Sequence, residues 1–141
     1  DFVRLRTFVA KPGTESGTEV EEGRLIPCTD EEKVEEIRQM LLAIHDCQGT
    51  LVSDHIVNLL ESVTGSLKTE KNKMVAEIEK FQALPEEKRR QFQLARRMGL
   101  VRRLEDSIPR EARKRIDRVC QDVKNDHQWE LLMNDFLQRY I

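Results

Sequence analysis

The sequence predicts an all-α protein: about six antiparallel amphipathic helices in a bundle or a short helical-hairpin stack, preceded by an extended N-terminal arm. Three observations lead there. From Thr29 onward, apolar residues recur three and four positions apart, the period of one buried helix face. That period breaks at Gly49, Gly65, Pro85 and Pro109, residue types that close or open helices. The breaks leave connections of about two to five residues, which favour antiparallel neighbours.

The elements follow in order. Phe2, Val3, Leu5, Thr7, Phe8 and Val9 make an extended, strand-like arm, whose only candidate partner is the short run of Arg24, Leu25 and Ile26. Pairing with that run, packing along the helices and pairing with a neighbouring chain are all open to the arm. Residues 11–23 hold Pro12, three glycines and several Ser, Thr and Glu, which predicts a mobile acidic loop. Residues 1–28 are thus expected to be arm and loop, and residues 29–141 the helical domain.

Thr29 and Glu32 form an S/T-x-x-E capping box, and Val34, Ile37, Leu41 and Ile44 give the first helix its stripe. A second helix is read near 51–64 from Val52, Ile56, Leu59, Leu60 and Val63, and a third near 67–83 from Leu67, Met74, Ile78 and Phe81. Pro85, Glu86 and Glu87 open a fourth, which the apolar spacing carries to about Asp106 unless Gly99 bends or splits it. Ser107 and Pro109 start a fifth, with Ala112, Ile116, Val119, Cys120 and Val123 on one face. Asn125 or Asp126 caps the sixth, where Trp129, Leu132, Met133, Phe136, Leu137 and Tyr140 form the richest apolar stripe in the chain. That stripe reads as the centre of the core or as an interface built on aromatic anchors.

Composition narrows the class. A length of 141 residues suits one core rather than two. Three cysteines at wide spacing give no disulfide framework, so the expected setting is reducing: intracellular, cytoplasmic or nuclear. No apolar run approaches a membrane span, and a chain opening on Asp1 is expected to be a portion of a larger intracellular protein.

Catalytic and metal chemistry find little support. His45, His55, His127, Cys28 and Cys47 are scattered, so no metal ligand set is expected. The adjacent pairs His45-Asp46 and Asp54-His55 point apart if helical, and Glu31, Glu32, Glu35 and Glu36 are explained by their place at a helix start. There is no phosphate loop and no dinucleotide fingerprint. The expectation is a protein that is not an enzyme and takes no cofactor.

Charge is the informative feature. Residues 1–66 carry a balance of −7 and residues 86–118 one of +6, hidden in a net charge of −2. Arg89, Arg96 and Arg103 recur every seven residues, with Arg90 and Arg97 beside them. Arg110, Lys114 and Arg118 recur every four, flanked by Arg113 and Arg115. If both helices packed antiparallel, the rows would merge into one face of about ten cations. Arginine outnumbers lysine there, and its planar fork suits bidentate contact with carboxylate or phosphate.

A solvated face, an intramolecular clasp on the acidic helix near 30–46, an acidic protein partner and a nucleic-acid backbone all fit that pattern. A pI near 6.0 and a single ring, Phe92, in the basic stretch weigh against nucleic acid. The expected function is a non-enzymatic scaffold or adaptor module that binds another protein through Arg89, Arg96, Arg103, Arg110, Lys114 and Arg118, or through a groove between helices. A nucleic-acid-binding helical module using the same cations is the alternative. No membrane role is expected.

Overall fold

The computed structural model describes residues 1–140. The chain is mostly helical, with a small sheet that an all-α reading does not contain. Its elements are β1 (Phe2–Arg4), α1 (Glu15–Glu21), α2 (Asp30–Ala43), β2 (Thr50–Val52), β3 (Gly65–Ser66), α3 (Lys71–Gln82), α4 (Glu86–Arg97), α5 (Arg110–Asp122) and α6 (Asp126–Gln138).

The N-terminal arm finds its partner far along the chain. β1 pairs in parallel with β2, Phe2 opposite Thr50 and Arg4 opposite Val52, while β3 pairs antiparallel with β2. A parallel pair needs a long crossover, and α1 with α2 supplies it. Arg24, Leu25 and Ile26 form no strand, and Ile26 is exposed. Within the loop expected to be mobile, Thr14 caps the short helix α1 by accepting the Gly17 N–H. Gly17 is buried there, and a Cβ at its position would lie 2.1 Å from the Lys11 carbonyl oxygen.

The helix expected near 51–64 does not exist. Leu51 and Ser53 are buried around a less buried Val52, the alternation of a strand. Residues 57–60 are then buried consecutively, which one helix face cannot achieve. This segment folds irregularly, and its backbone groups must be satisfied by other means. Ser53 Oγ donates to the Leu60 carbonyl, the Thr64 hydroxyl accepts the Ser53 N–H, and α4 supplies further donors. Leu67 belongs to the sheet side, its N–H donating to the Gly49 carbonyl, so α3 begins only at Lys71.

The other helices follow their sequence signals closely. The Thr29/Glu32 capping box forms in both directions, at 3.1 and 2.8 Å. Asn125 caps α6 by accepting the Gln128 N–H. Gly99 ends α4 rather than bending it: its φ of +71° lets Leu100 N–H reach the Ala95 carbonyl and Gly99 N–H the Arg96 carbonyl.

Packing is antiparallel in one pair and parallel in another. α2 lies antiparallel on α3, through Glu35 with Gln82, Arg38 with Glu79 and the Ile44 carbonyl with Lys71. α4 and α6 run in the same direction, through Arg90 with Asp126, Gln93 with Trp129 and the Arg97 carbonyl with Tyr140. One hydrophobic cluster joins them, with Leu41, Leu51, Ile78, Phe81, Ala95, Ile116 and Trp129 deeply buried. Trp129 also donates its indole N–H to the buried Gln93 at 2.7 Å and lies under the Arg90 guanidinium. Trp129→Ala is therefore expected to cost about 3–5 kcal/mol, read as a lower chemical-denaturation midpoint.

Candidate interaction surface

The two basic rows seen in the sequence have different fates. On α4 the arginines face inward or sideways. Arg97 is fully buried, its Nη2 donating to Asp30 Oδ1 at 2.6 Å and its Nη1 to the Val57 carbonyl at 2.9 Å. Arg96 is 1% exposed; its Nε donates to the Asn58 carbonyl at 3.2 Å, and Glu61 lies 3.5 Å away. Burial pulls the Arg96 guanidinium below its usual pKa, while the Glu61 carboxylate opposes that effect.

Arg89 and Arg90 are half-buried. Arg89 donates to Glu31 at 2.8 Å and to the Leu84 carbonyl at 2.6 Å. Arg90 reaches Asp126 at 2.7 Å and Glu86 at 2.9 Å, over the Trp129 ring. The acidic start of α2, with Asp30 and Glu31, thus clasps α4 from within the chain. Arg89 and Arg96 consequently do not form an open stripe with Arg103. The seven-residue spacing also fails at Arg103 because α4 ends at Arg97, placing Arg103 in the turn before α5, where its N–H donates to Asp106.

α5 keeps its cations outside. Arg110, Arg113, Lys114, Arg115 and Arg118 are all exposed, and Arg103 is exposed in the preceding turn. None of these six has an ion-pair partner among the described residues. Ile116 is buried and Ala112, Val119 and Cys120 are half-buried, so α5 has the two-faced form its sequence implies.

A groove that the sequence did not reveal runs beside this row. It measures about 540 Å³ and lies between the start of α4, α5 and the turn that precedes α5. Leu84, Phe92, Leu104 and Ile108 give it an apolar floor, and Lys88 and Arg113 stand at its rim. Its three carboxylates, Glu87, Asp106 and Asp117, accept hydrogen bonds from neutral donors of the chain and outnumber the two cations of the lining. Asp117 accepts from Gln91 Nε2 at 2.8 Å, and Asp106 accepts the Arg102 and Arg103 N–H groups, which hold its pKa below the usual value.

On the opposite side of α4, Glu130 of α6 faces the acidic start of α2. Burial, and then the charges of Asp30, Glu32 and Glu31 against the weaker pull of Lys33, push its pKa up to about 7. Cys120 is pushed up to about 11 by burial, which makes it a poor nucleophile at neutral pH. Among the described residues no three His, Cys, Asp or Glu side chains come together to hold a metal ion. None of the described helices is long and apolar enough to cross a membrane.

Comparison with protein-family models, with curated proteins and with solved structures found no match.

Two outcomes test this electrostatic frame. Removing one side of the buried pair strands the other charge, so Arg97→Leu and Asp30→Asn are each expected to lose about 3–5 kcal/mol of unfolding free energy. The native state holds the Glu130 proton more tightly than the unfolded chain, whose carboxyl titrates near 4.5, so stability falls as pH rises from about 4.5 to about 7. Glu130→Gln should remove that fall and gain about 1–2 kcal/mol at pH above 7 after allowance for solvent screening, measured as denaturation midpoints across pH.

Proposed function

We propose that this chain is a non-enzymatic interaction module that holds an acidic segment of another protein on the outer face of α5 and the turn before it. One observation carries the reading: Arg103, Arg110, Arg113, Lys114, Arg115 and Arg118 are exposed and unpaired among the described residues, while the arginines of α4 are neutralised internally. Cations that serve the fold have partners within it. Those that remain form a field of one sign along a helix, which steers and orients an oppositely charged partner.

Arginine in most of these positions favours carboxylates, which its fork can bind with two parallel hydrogen bonds. Phe92 is buried, so the basic stretch presents no ring on which a nucleic-acid base could stack. The setting in this reading is the interior of the cell.

The experiment is affinity purification from nuclease-treated lysate, comparing the wild type with an Arg113→Glu, Lys114→Glu, Arg118→Glu variant whose fold is verified by circular dichroism. Exposed cations contribute about 0.5–1 kcal/mol each, so the variant should bind the recovered partner about ten- to a hundredfold more weakly. An unchanged partner affinity would reduce α5 to a solvated face. Binding to unrelated DNA or RNA duplexes that falls linearly with log salt would reassign the face to nucleic acid.

A further inference from the structure

We infer that the junction of α2, α4 and α6 is a pH-sensitive joint, in which ionisation of Glu130 frees the first turns of α6 from the start of α2 while the rest of the molecule stays folded. The joint is independent of the reading of α5 and stands on a second cleft. That cleft, of about 320 Å³, lies where the first two turns of the three helices meet, and Thr29, Glu31, Arg89, Gln93, Trp129 and Glu130 are among the residues that line it.

The arginines of the cleft are already committed. Arg89 is bound to Glu31 at 2.8 Å, and Arg90 to Asp126 at 2.7 Å and to Glu86 at 2.9 Å. Among the described residues no ion pair reaches Glu130, and none joins α2 to α6. Glu130 is half-buried, and α2 sets Asp30, Glu31 and Glu32 near it, with Lys33 as the opposing cation, itself 3.9 Å from Asp30 Oδ1. α4 adds Glu86, Arg89 and Arg90 along the cleft, and α6 carries Asp126 and His127 in the preceding turn. With its proton Glu130 is neutral in these surroundings, and without it a further negative charge faces the start of α2.

α6 is the side that yields. α2 is anchored at its first residue by the buried pair of Asp30 with Arg97, whereas α6 starts on a bridge from Arg90 to an Asp126 side chain that is 93% exposed. Repulsion at Glu130 therefore falls on the weaker of the two ion-pair anchors. Opening carries along the neighbouring Trp129, whose indole N–H leaves Gln93 and so reports the event. Burial and the three carboxylates hold the Glu130 proton up to about 7 in the closed joint, and once released the carboxyl titrates near 4.5. Opening becomes easier between those two values, by about tenfold for each pH unit, and levels off above about 7.

The test is native-state hydrogen exchange of the intact chain, followed by NMR from about pH 5 to about pH 8, corrected for the intrinsic pH dependence of exchange and repeated in low denaturant. The reporters are the Trp129 indole N–H and its backbone N–H, which donates to the Asn125 carbonyl, and the reference is the amide of the fully buried Ile78 in α3. The expected result is protection at Trp129 that lies below that of Ile78, responds little to denaturant, and falls by about a hundredfold from pH 5 to a plateau above about 7. Glu130→Gln should abolish the fall while leaving His127 in place. A fall that persists in this variant would assign it to another group and overturn the joint. The wild-type profile decides as well, with no variant required to fold. Protection at Trp129 that is flat from pH 5 to 7 would overturn the joint, as would protection equal to that of Ile78 with the same denaturant dependence, which is global unfolding alone.

Discussion

The ion pair between Asp30 and Arg97 is the constraint on which much of the rest depends. Asp30 is the first residue of α2 and Arg97 the last of α4, and both are buried. Charges taken out of water must be paired, so this contact fixes where two helix ends meet. Both ends are suited to it: a carboxylate is favoured at a helix N-terminus and a guanidinium at a C-terminus. From that junction Arg97 also holds the Val57 carbonyl and Arg96 the Asn58 carbonyl, so the irregular chain after β2 is satisfied by α4 instead of by a ladder. Arg97 Nε and Asp30 Oδ2 have no hydrogen-bond partner among the described residues, which makes the pair better at specifying position than at adding stability.

This arrangement divides the basic residues between two tasks. Four arginines of α4 are partly or wholly withdrawn from solvent to organise α2, α6 and the segment after β2. The cations of α5 have no such duty and stand outside. The two groups are alike in composition, and what separates them is the position of the carboxylates of α2, α6 and Glu61 beside α4. That acidic helix also adds to the effect of burial on Glu130, whose proton is held more tightly in the field of Asp30, Glu32 and Glu31.

Most helices were legible because their signals are local. The Thr29/Glu32 box, the Asn125 cap, Pro85 and Pro109, and the apolar stripe of α6 each lie within a few neighbouring residues. What escaped depends on distant partners. Val52, Ile56, Leu59, Leu60 and Val63 fit a helical period by coincidence, and the alternative requires β1 and the arginines of α4, far away in sequence. α1 was hidden by a loop-like composition, although Thr14 three residues before Gly17 is a local capping geometry. In the charged face, α5 was readable from its four-residue spacing. The fate of Arg89 and Arg96 was not, because an exposed stripe has the same sequence pattern as one packed on an acidic helix, as Arg89 is, or on the irregular segment after β2, as Arg96 is. The groove was invisible because its lining is assembled from α4, the turn and α5.

The parallel pairing of β1 with β2 bears on how the chain assembles and breathes. Closing Phe2 onto Thr50 encloses the whole of α1 and α2 in a loop, whose entropy must be lost before the pairing returns anything. The β2–β3 contact and the α2–α3 pair enclose shorter loops and need no contribution from the N-terminus. β1 is therefore the last strand to dock and the first to leave. All three of its residues are exposed, so they bury little apolar surface of their own, and release of β1 is expected to cost less than global unfolding. The sheet edge of β2 is thus the place where local opening, rather than global unfolding, is expected to govern amide exchange.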